Sequence, residues 1–319
     1  MKLGVCAQAF YHLPLDAALK QVAALGIAAI ELPVHRASPF VDLEAAVAGR
    51  GAALRRSFDE AGVSISALSN HAEGQLLLGP HGIDTDAMFE GGAAAKAAFA
   101  RKRLALTAEL AQAMGIGIVC GFTGCEDYSR WFPWPLEDGY ERMMPAYRER
   151  MMPVLDEFHR RSVRFAIECH PRQFAYNLDT ARLALQAVDQ HPALAFNFDP
   201  ANLMIAGADP VAFISELGER IVHVHAKDGE LVAHHAARSG LQAHGAWDRP
   251  GRGFRFRVAG WGDLSWKRIL TELQTSGYRG VIAIEHEDPT FAPIEGIEQA
   301  VRHLQPLLFR DPPPGSRWW

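Results

Sequence analysis

Carboxylates and histidines stand near the ends of four short apolar segments in the second half of the sequence. The segments are R-F-A-I-E-C-H-P (residues 164–171), L-A-F-N-F-D-P (194–200), I-V-H-V-H-A-K-D (221–228) and V-I-A-I-E-H-E-D (281–288). Each alternates with a period of two, which is typical of a β-strand. One face of each predicted strand is apolar throughout, whereas the other becomes polar towards its C-terminal end. These ends are therefore the first place to look for chemistry.

The polar strand ends offer a set of ligands for one cation: Glu168, Asp199, His225 and Glu285. Carboxylates gathered there would repel one another by about 4 kcal/mol per pair at ~4.5 Å and an effective dielectric of ~20. Three oxygens and one imidazole nitrogen would relieve that repulsion around a cation and leave positions open for substrate or water. We predict one divalent metal ion (Mn, Zn, Co or Mg) on these four residues. The alternative is that each residue caps the helix after its strand.

Composition narrows the class of protein. The chain has 319 residues, 49% of them hydrophobic, and a formal net charge of -5, which does not favour a nucleic-acid or membrane partner. The N-terminus lacks the pattern of a signal peptide, and no apolar run approaches a membrane span, so the expected location is cytoplasmic. The cysteines lack C-x-x-C spacing and are predicted to be reduced, buried thiols: Cys6, Cys120, Cys125 and Cys169.

Strand-like and helix-like segments alternate eight times along the chain. The other predicted strands cover residues 3–7, 28–32, 63–68 and 116–120. The predicted helices cover residues 15–25, 42–61, 93–114, 136–161, 179–190, 209–217, 264–276 and 294–308, with Asp179 as an N-cap. This order predicts an α/β protein, a single (β/α)₈ TIM barrel, with a doubly wound sheet as the alternative. Polar ends on consecutive strands favour the barrel, because barrel enzymes place their chemistry at one mouth.

Two further segments carry predictions of their own. Residues 1–310 are predicted to form the barrel and residues 311–319 a C-terminal tail, whose Trp318 and Trp319 would pack on a neighbour or on the barrel's flank. In the long segment 228–262 after the seventh strand, F-R-F-R-V alternates as a half-exposed hairpin does. Its arginines are expected to be solvated, or to hold an anion or a partner subunit.

Histidines near the predicted mouth are candidates for contact with a substrate. His71 follows the third strand, and His170 lies two residues after Glu168, on the same strand face. Either could bind a hydroxyl group or act as an extra base, and a structural role at the rim is the alternative. His223 lies one layer deeper and is expected to be a buried, hydrogen-bonded neighbour of the site.

Three other residues are candidates for substrate binding. Asn202 and Lys227 could contact substrate oxygens, although Lys227 would alternatively neutralise Asp228 or Glu287. Trp131, in the aromatic loop after the fourth strand, could stack on the C–H face of a sugar. The alternatives for this loop are a lid clamped on its own scaffold and a dimer contact.

With these residues in place, the sequence resembles the xylose isomerase-like TIM barrels. This superfamily includes sugar-phosphate isomerases and epimerases, ketose 3-epimerases, inosose-processing enzymes and AP endonucleases of the endonuclease IV type. The resemblance covers nearly the whole chain and is strongest in F-D-P-A-N-L, H-V-H-A-K-D, V-A-G-W-G-D-L-S-W and I-E-H-E-D. It implies that the metal ligands are Glu168, Asp199, His225 and Glu285.

The resemblance is weaker in the substrate shell. Ketose 3-epimerases carry a Glu, a His and an Arg where this sequence has Phe174, Asn202 and Leu231. The resemblance therefore does not favour a free-ketohexose 3-epimerase. It favours the members described only as sugar-phosphate isomerases or epimerases, some relatives of which act on oxidised sugars or cyclitols.

The predicted chemistry is removal of a proton from the carbon next to a carbonyl. A cation that chelates the carbonyl and a neighbouring hydroxyl stabilises the resulting enediolate, with Glu168 and Glu285 as the acid–base pair. Return of a proton gives an isomerase or epimerase acting on a sugar, keto-sugar or cyclitol. Loss of a leaving group instead gives a lyase or dehydratase acting on an oxidised (3-keto) sugar or glycoside.

Two other functional classes stay open from the sequence. An endonuclease IV-like repair enzyme would need several more ligands on the first four strands, where only His35 and His71 are available. A sugar-sensing or scaffold subunit would need no catalysis. The expected partner is a small-molecule sugar or keto-sugar, and a homo-oligomer is possible.

Overall fold

Eight parallel strands close into a barrel in the computed structural model, which describes residues 1–310. One further strand lies outside the ring and pairs antiparallel with the end of the seventh strand. The strands are β1 (Lys2–Cys6), β2 (Ala29–Pro33), β3 (Ser64–Ser69), β4 (Ile118–Gly121), β5 (Arg164–Glu168), β6 (Leu194–Phe198), β7 (Ile221–Leu231), β8 (Phe254–Val258) and β9 (Val281–Ile284). Neighbours follow the order β6-β5-β4-β3-β2-β1-β9-β7, and pairing of β6 with β7 closes the ring. The predicted (β/α)₈ barrel is confirmed, and the doubly wound alternative is wrong.

The described helices connect these strands. They are α1 (Leu15–Ala24), α2 (Leu43–Ala45), α3 (Gly51–Ala61), α4 (His71–Gly74), α5 (Ala93–Ala113), α6 (Met144–Arg160), α7 (Leu178–Ala187), α8 (Pro200–Ile205), α9 (Pro210–Leu217), α10 (Ala233–Ser239), α11 (Trp266–Thr275) and α12 (Pro293–Leu304). Most of the buried apolar side chains form one large core cluster, which includes residues of both the strands and the helices. None of these helices has the length and apolar character needed to cross a membrane.

Small side chains occupy the inner face of the barrel below its mouth. They form two separate buried clusters that include Ala29, Ala67, Cys120, Ala166, Ala195 and Ala283. Strand β1 carries Gly4, where an added Cβ would lie 2.4 Å from Cγ1 of Val281. The strands therefore pack closely at this level. All four cysteines are buried and unpaired, as the sequence predicts.

The predicted helix at residues 42–61 is interrupted. It divides into α2, a wide turn over Ala46–Arg50, and α3. Gly49 has φ +127° inside this turn, a conformation that glycine adopts without a steric penalty. The helix predicted from residue 136 begins at Met144 instead, since the preceding residues form turns around Gly139.

The predicted N-cap of α7 is wrong. Asn177, not Asp179, accepts a hydrogen bond from Thr180 N at 3.0 Å, and the Thr180 hydroxyl accepts one from Asn177 N at 3.1 Å. This reciprocal pair is a capping box, which satisfies two backbone donors at the start of the helix. Asp179 lies in the first turn, where its charge is favourable to the helix dipole.

The segment after the predicted seventh strand is more ordered than the sequence suggests. Strand β7 continues to Leu231, and the segment 228–262 also contains α10. Residues 227–231 pair antiparallel with β8, so the predicted hairpin at 254–258 is confirmed. The predicted packing of Trp318 and Trp319, and the tail to which they belong, lie outside the described residues.

Candidate metal centre

The four predicted ligands come together at the C-terminal mouth of the barrel. His225 Nδ1 lies 3.1 Å from Glu168 Oε2, 3.0 Å from Glu285 Oε2 and 3.9 Å from Asp199 Oδ2. One ligand atom from each residue lies within 4.8 Å of every other. Glu168 ends β5, Asp199 follows β6, and Glu285 follows β9, so parallel strands carry all of them to the same rim. The sequence therefore identified side chains that do converge.

Asp199 serves both as a helix cap and as part of this cluster. Its Oδ1 accepts hydrogen bonds from the backbone N–H groups of Ala201 at 2.9 Å and Asn202 at 3.1 Å, which caps α8. The capping alternative is therefore correct for this oxygen. Its Oδ2 is buried and accepts no hydrogen bond with acceptable geometry from the described residues, although Lys227 Nζ is 2.9 Å away. One carboxylate oxygen therefore stays available to a ligand.

Lys227 places a positive charge among the carboxylates. Its Nζ lies 2.9 Å from Asp199 Oδ2, 2.8 Å from Glu285 Oε2 and 2.9 Å from Glu287 Oε2. Burial opposes the charged form, but the three carboxylates outweigh burial and raise the pKa of Lys227 well above its usual value. Of the two partners suggested by the sequence, only Glu287 is contacted. Asp228 is instead satisfied by four N–H donors.

The pKa values of the four ligands diverge. Burial raises the pKa of Asp199 to about 7, since its contact with Lys227 only partly offsets the loss of water and the charges of Glu168 and Glu285. Burial also opposes ionisation of Glu168 and Glu285, but nearby His225 overcomes it and lowers the pKa of both. The carboxylates in turn raise the pKa of His225 well above its usual value despite burial. Such divergence is common where groups share a functional site.

The ring nitrogen of His225 that points away from the other ligands contacts Glu31, a residue that the sequence analysis missed. His225 Nε2 lies 2.8 Å from Oε2 of Glu31, which is fully buried in β2. Burial alone would raise the pKa of Glu31, but the charge of His225 outweighs it and lowers the pKa to about 2. The signal in the sequence is a single acid inside the apolar run A-I-E-L-P, two residues from Ala29 on the inward face.

A cavity of about 190 Å³ opens directly above these residues. It is lined by Gln8, Pro33, His35, Ser69, His71, Ala72, Phe122, Glu168, His170, Lys227, Glu285 and Glu287. Three of the five predicted substrate-binding residues, His71, His170 and Lys227, therefore face the same space as the two predicted catalytic glutamates. Their contact with a substrate stays a prediction.

The two histidines of the cavity differ in their surroundings. His71 Nε2 lies 3.2 Å from Glu168 Oε2, and this carboxylate raises the pKa of His71 although burial opposes the charge. Burial lowers the pKa of His170, whose Nδ1 lies 2.6 Å from the carbonyl oxygen of Pro171. Phe122 lies between them, with ring centroids 4.8 and 5.0 Å away. The sequence analysis missed Phe122, which lies two residues beyond Cys120 in the alternation of the fourth strand.

The other two predicted substrate-binding residues do not line this cavity. Asn202 is fully buried, and its Nδ2 donates to Glu168 Oε1 at 2.7 Å. Trp131 ends a short helical turn, with 54% of its surface exposed, and its ring packs edge-on against Phe132. Asn202 therefore orients the Glu168 carboxylate through a hydrogen bond. The stacking of Trp131 on a sugar stays a prediction.

The donor set fits a divalent cation. Three carboxylates and one imidazole are a common ligand combination for Mn²⁺, Zn²⁺ and Co²⁺. Atoms bound to one ion at about 2.1 Å are at most about 4.2 Å apart, so ligand atoms within 4.8 Å need only small movements. Among the described residues, each group of three or more possible ligands includes His225. The possible ligand groups among the described residues therefore all meet at His225.

Comparisons with known proteins agree with this geometry. A family model described as "Xylose isomerase-like TIM barrel" matches residues 19–307. The uncharacterized protein YfiH of Bacillus subtilis is 33% identical over 148 residues, which cover 46% of this chain and 47% of that protein. An inosose dehydratase of Lacticaseibacillus casei is 33% identical over 113 residues, or 35% of this chain and 37% of that protein. The matched segments thus span less than half of these curated relatives.

Solved structures extend the likeness of fold over the whole chain. The IOLI protein with a bound zinc atom gives a TM-score of 0.68 at 16% identity, covering 97% of this chain and 98% of that chain. The 3-keto-D-glucoside 4-epimerase YcjR of E. coli gives 0.63 at 15% identity, covering 95% and 99%. Since the family model spans most of the sequence, this chain belongs to the xylose isomerase-like TIM barrel family.

Proposed function

We propose that the protein is a divalent-metal-dependent isomerase or epimerase of a sugar, keto-sugar or cyclitol. The observation that carries this proposal is the position of Glu168 and Glu285. Both carboxylates face one cavity, and together with Asp199 and His225 they form an oxygen-rich ligand set. Two acid–base groups beside one bound cation are the equipment for moving a proton next to a carbonyl.

The residues that would hold the cation are Glu168, Asp199, His225 and Glu285. A divalent cation bound there would polarise the substrate's carbonyl group and stabilise the negative charge that develops when the neighbouring carbon loses its proton. The remaining steps belong to the side chains of this chain.

Glu168 is the better supported of the two bases. Its Oε1 accepts a hydrogen bond from Asn202 Nδ2 at 2.7 Å, and its Oε2 accepts one from Asn197 Nδ2 at 2.9 Å. These amides fix the carboxylate and favour its ionised form, which is the form that accepts a proton. His71, 3.2 Å away, can exchange a proton with it or bind a substrate hydroxyl group.

Glu285 lines the same cavity, and with Glu168, Asp199 and His225 it forms the group of four ligands called the cup below. Its Oε2 contacts Lys227 Nζ at 2.8 Å, so the ammonium group holds this carboxylate in place. A proton returned to the same carbon from the opposite face gives an epimer. A proton returned to the neighbouring carbon gives an isomer. Both outcomes use the same pair of glutamates.

Dehydration of a keto-cyclitol or an oxidised sugar is the second candidate. An inosose dehydratase is among the relatives, and the cavity contains groups that can protonate a departing hydroxyl group. Lys227 and His170 line the cavity together with Glu168. Glu168 would remove the proton from the α-carbon, next to the carbonyl. A proton donated to the hydroxyl group on the β-carbon would then release that group as water.

Exchange of substrate hydrogen with solvent tests both candidates. Protein stripped with a chelator and reloaded with Mn²⁺, Zn²⁺, Co²⁺ or Mg²⁺ is incubated with a panel of keto-sugars and keto-cyclitols in D₂O. Nuclear magnetic resonance then reports deuterium next to the carbonyl. We expect metal-dependent exchange that falls by about 10²- to 10⁴-fold in Glu168→Gln and Glu285→Gln.

The products separate the candidates. A rearranged sugar of unchanged mass indicates an isomerase or epimerase, and a product lighter by one water indicates a dehydratase. Glu73→Gln is the matched control, because Glu73 is a buried glutamate whose carboxylate contacts Arg103 and Asn70 rather than the four ligands. Failure of the purified protein to bind any of these metals, or full activity after their removal, would contradict the proposal.

A further inference from the structure

We infer that Glu31 is a positioning residue, which holds the His225 imidazole in the tautomer and orientation that present Nδ1 to a metal ion. This inference rests on the proposed metal centre. Its support lies in the contacts, burial and surroundings of the two side chains.

The two ring nitrogens of His225 face different carboxylates, and the Asn197 Nδ2 amide lies beside both, 3.1 Å from Nε2 and 3.3 Å from Nδ1. Nε2 lies 2.8 Å from Glu31 Oε2, and Nδ1 lies 3.1 Å from Glu168 Oε2 and 3.0 Å from Glu285 Oε2. A histidine bound to a metal is neutral, because the ion replaces the proton on one nitrogen and the other nitrogen keeps its own. With the Nε2 proton donated to Glu31, the lone pair of Nδ1 points into the cup. A carboxylate behind a metal-binding histidine commonly fixes its tautomer and raises its basicity.

Glu31 has no access to a substrate. Its side chain is 0% exposed, and it does not line the cavity above the cup. It lies in β2 with Cys6 as its register partner in β1, two residues before Pro33, which does line the cavity. Direct acid–base work on a sugar is therefore left to Glu168 and Glu285, and Glu31 can act only through the residues that it contacts.

The apolar surroundings of Glu31 are unfavourable for a buried carboxylate. Its neighbours in sequence, Ile30 and Leu32, are fully buried in the main core. Its Oε1 is buried without a hydrogen-bond partner among the described residues. A buried carboxylate with an unsatisfied oxygen costs free energy that an apolar residue in the same strand would not. The contact with His225 is the compensating feature that the structure shows.

A second histidine extends this arrangement. His223 Nδ1 lies 3.5 Å from Glu31 Oε2 and 3.2 Å from Asn197 Oδ1, and Asn197 Nδ2 in turn donates to Glu168. Two of the four ligands, His225 and Glu168, are thus braced by one buried polar layer. Glu31, His223 and His225 could themselves be taken for a metal site, since their ligand atoms are close together. The hydrogen bond at Nε2 already uses the nitrogen that such a site would need.

Metal affinity is the measurement that separates positioning from a purely structural role. Dissociation constants for Zn²⁺ and Mn²⁺ are measured by chelator competition on the full chain and on Glu31→Gln and Glu31→Leu. We expect one ion per chain, about 10-fold weaker binding in Glu31→Gln, whose amide oxygen can still accept from Nε2, and about 100-fold weaker binding in Glu31→Leu. Glu73→Gln is the matched buried control and should bind metal as the unaltered protein does.

The tautomer can be read directly in the unaltered protein. Nitrogen-15 spectra of the zinc-loaded chain should show His225 with its proton on Nε2, and this readout does not depend on whether any variant folds. A proton on Nδ1 of the zinc-loaded protein, or two bound ions per chain, would overturn the inference. So would unchanged affinity in folded Glu31 variants, a result that leaves the proposed function intact. Absence of metal binding by the unaltered chain would instead overturn the proposed function, and the inference with it.

Discussion

Two groups of buried carboxylates lie near the same mouth of the barrel, and they differ in how their oxygens are satisfied. The first comprises the three carboxylates of the cup, Glu168, Asp199 and Glu285. The second, at the base of the β7–β8 hairpin, comprises Asp228 and Asp288. In sequence the two groups look alike, because every member follows or ends an apolar strand segment.

The hairpin-base carboxylates are saturated with donors. Asp228 Oδ1 accepts from the backbone of Gly229 and Leu264, and its Oδ2 accepts from Gly260 N and Trp266 Nε1, all within 3.1 Å. Asp228 thereby ties the end of β7 to the turn before α11. Four hydrogen bonds leave this carboxylate with no vacant lone pair to offer an ion.

Asp288 follows the same rule. Its Oδ2 accepts from Arg257 Nε at 2.8 Å and from Val258 N at 3.0 Å, and its Oδ1 accepts from Thr290 N and Oγ1. It thereby fastens β8 to the segment after β9. A saturated carboxylate of this kind stabilises the fold, because each donor would otherwise be buried without a partner.

The cup is under-supplied by comparison. Asp199 Oδ2 accepts no hydrogen bond of acceptable geometry from residues 1–310, and the ammonium group of Lys227 is shared by Asp199, Glu285 and the neighbouring Glu287. Counting the donors around a buried carboxylate therefore separates a structural acid from a candidate ligand. The predictions below test that distinction.

The largest expected effect is the loss of metal affinity in Asp199→Asn. Asparagine keeps the Oδ1 acceptor that caps α8 but replaces the free Oδ2 with an amide group, which cannot bind a cation. Losing one of four ligands should cost about 3–4 kcal/mol, roughly a quarter of the free energy of a four-ligand zinc site. Chelator competition measures it. The metal-free variant should be no less stable than the unaltered protein, and a loss of stability with unchanged affinity would assign Asp199 to the structural group.

Lys227→Met should destabilise the metal-free protein by about 3 kcal/mol. Removing the ammonium group leaves His225 as the nearest positive group to the buried carboxylates of Asp199 and Glu285, and a buried charge that loses its partner is costly. Saturating Mn²⁺ or Zn²⁺ should restore most of this loss, because a cation in the cup supplies the missing charge. Urea unfolding with and without metal measures both quantities. Equal destabilisation in both conditions would show that the cup does not depend on cations for its stability.

Asp228→Asn should lower the free energy of unfolding by about 2 kcal/mol and leave metal affinity unchanged. An amide group in this position turns a donor towards N–H groups that need an acceptor, so at least one of them is left unsatisfied. Thermal or urea unfolding of the metal-free protein reports the loss. Weakened metal binding in this variant, at equal folded fraction, would break the proposed division between the two groups.

The sequence predicted much of the cup because its residues occupy equivalent positions. Glu168, Asp199 and Glu285 each stand near the carboxyl end of a strand, and parallel strands bring these ends to one rim. His225 reaches the same rim from the middle of β7, whose last residues leave the barrel to pair with β8. Period-two alternation alone distinguishes their face from the core face. The family resemblance pointed to the same four residues, and their convergence needed no knowledge of loops.

Other features depended on contacts that no local pattern encodes. Glu31 lies 194 positions from His225, and one acid within an apolar strand carries no sign of its partner. Asp199 and Asp228 both follow an apolar strand segment in the sequence. The number of hydrogen-bond donors around each one distinguishes them, and that number depends on the fold. At α7, Asn177 and Asp179 are both residue types that cap helices, and the hydrogen bonds between Asn177 and Thr180 place the cap at Asn177.

The smallest expected effect is a dependence of metal-free stability on pH between about 7 and 8. The folded-state pKa of Asp199, about 7, is raised, and so are the pKa values of His71 and His225, so these groups bind protons more tightly when folded. Stability that depends on such protons is present at the lower pH and is lost as pH rises. Histidines with lowered folded-state pKa values, such as His223, still bind protons in the unfolded state near pH 6.5 and oppose the trend there, but this opposition fades above about pH 7. The free energy of unfolding should therefore fall by about 1 kcal/mol per pH unit.

Metal should reverse the direction of this dependence. A cation needs deprotonated ligands, so its binding releases protons and strengthens as pH rises through the same interval. Urea unfolding at about pH 7, 7.5 and 8, with and without saturating Mn²⁺, gives the two slopes. The same measurement on Asp228→Asn should give the slopes of the unaltered protein, because Asp228 lies outside the cup. A metal-free stability that is flat or rises across this interval would mean that the cup holds no excess protons, and the charge imbalance that distinguishes it from the hairpin base would be refuted.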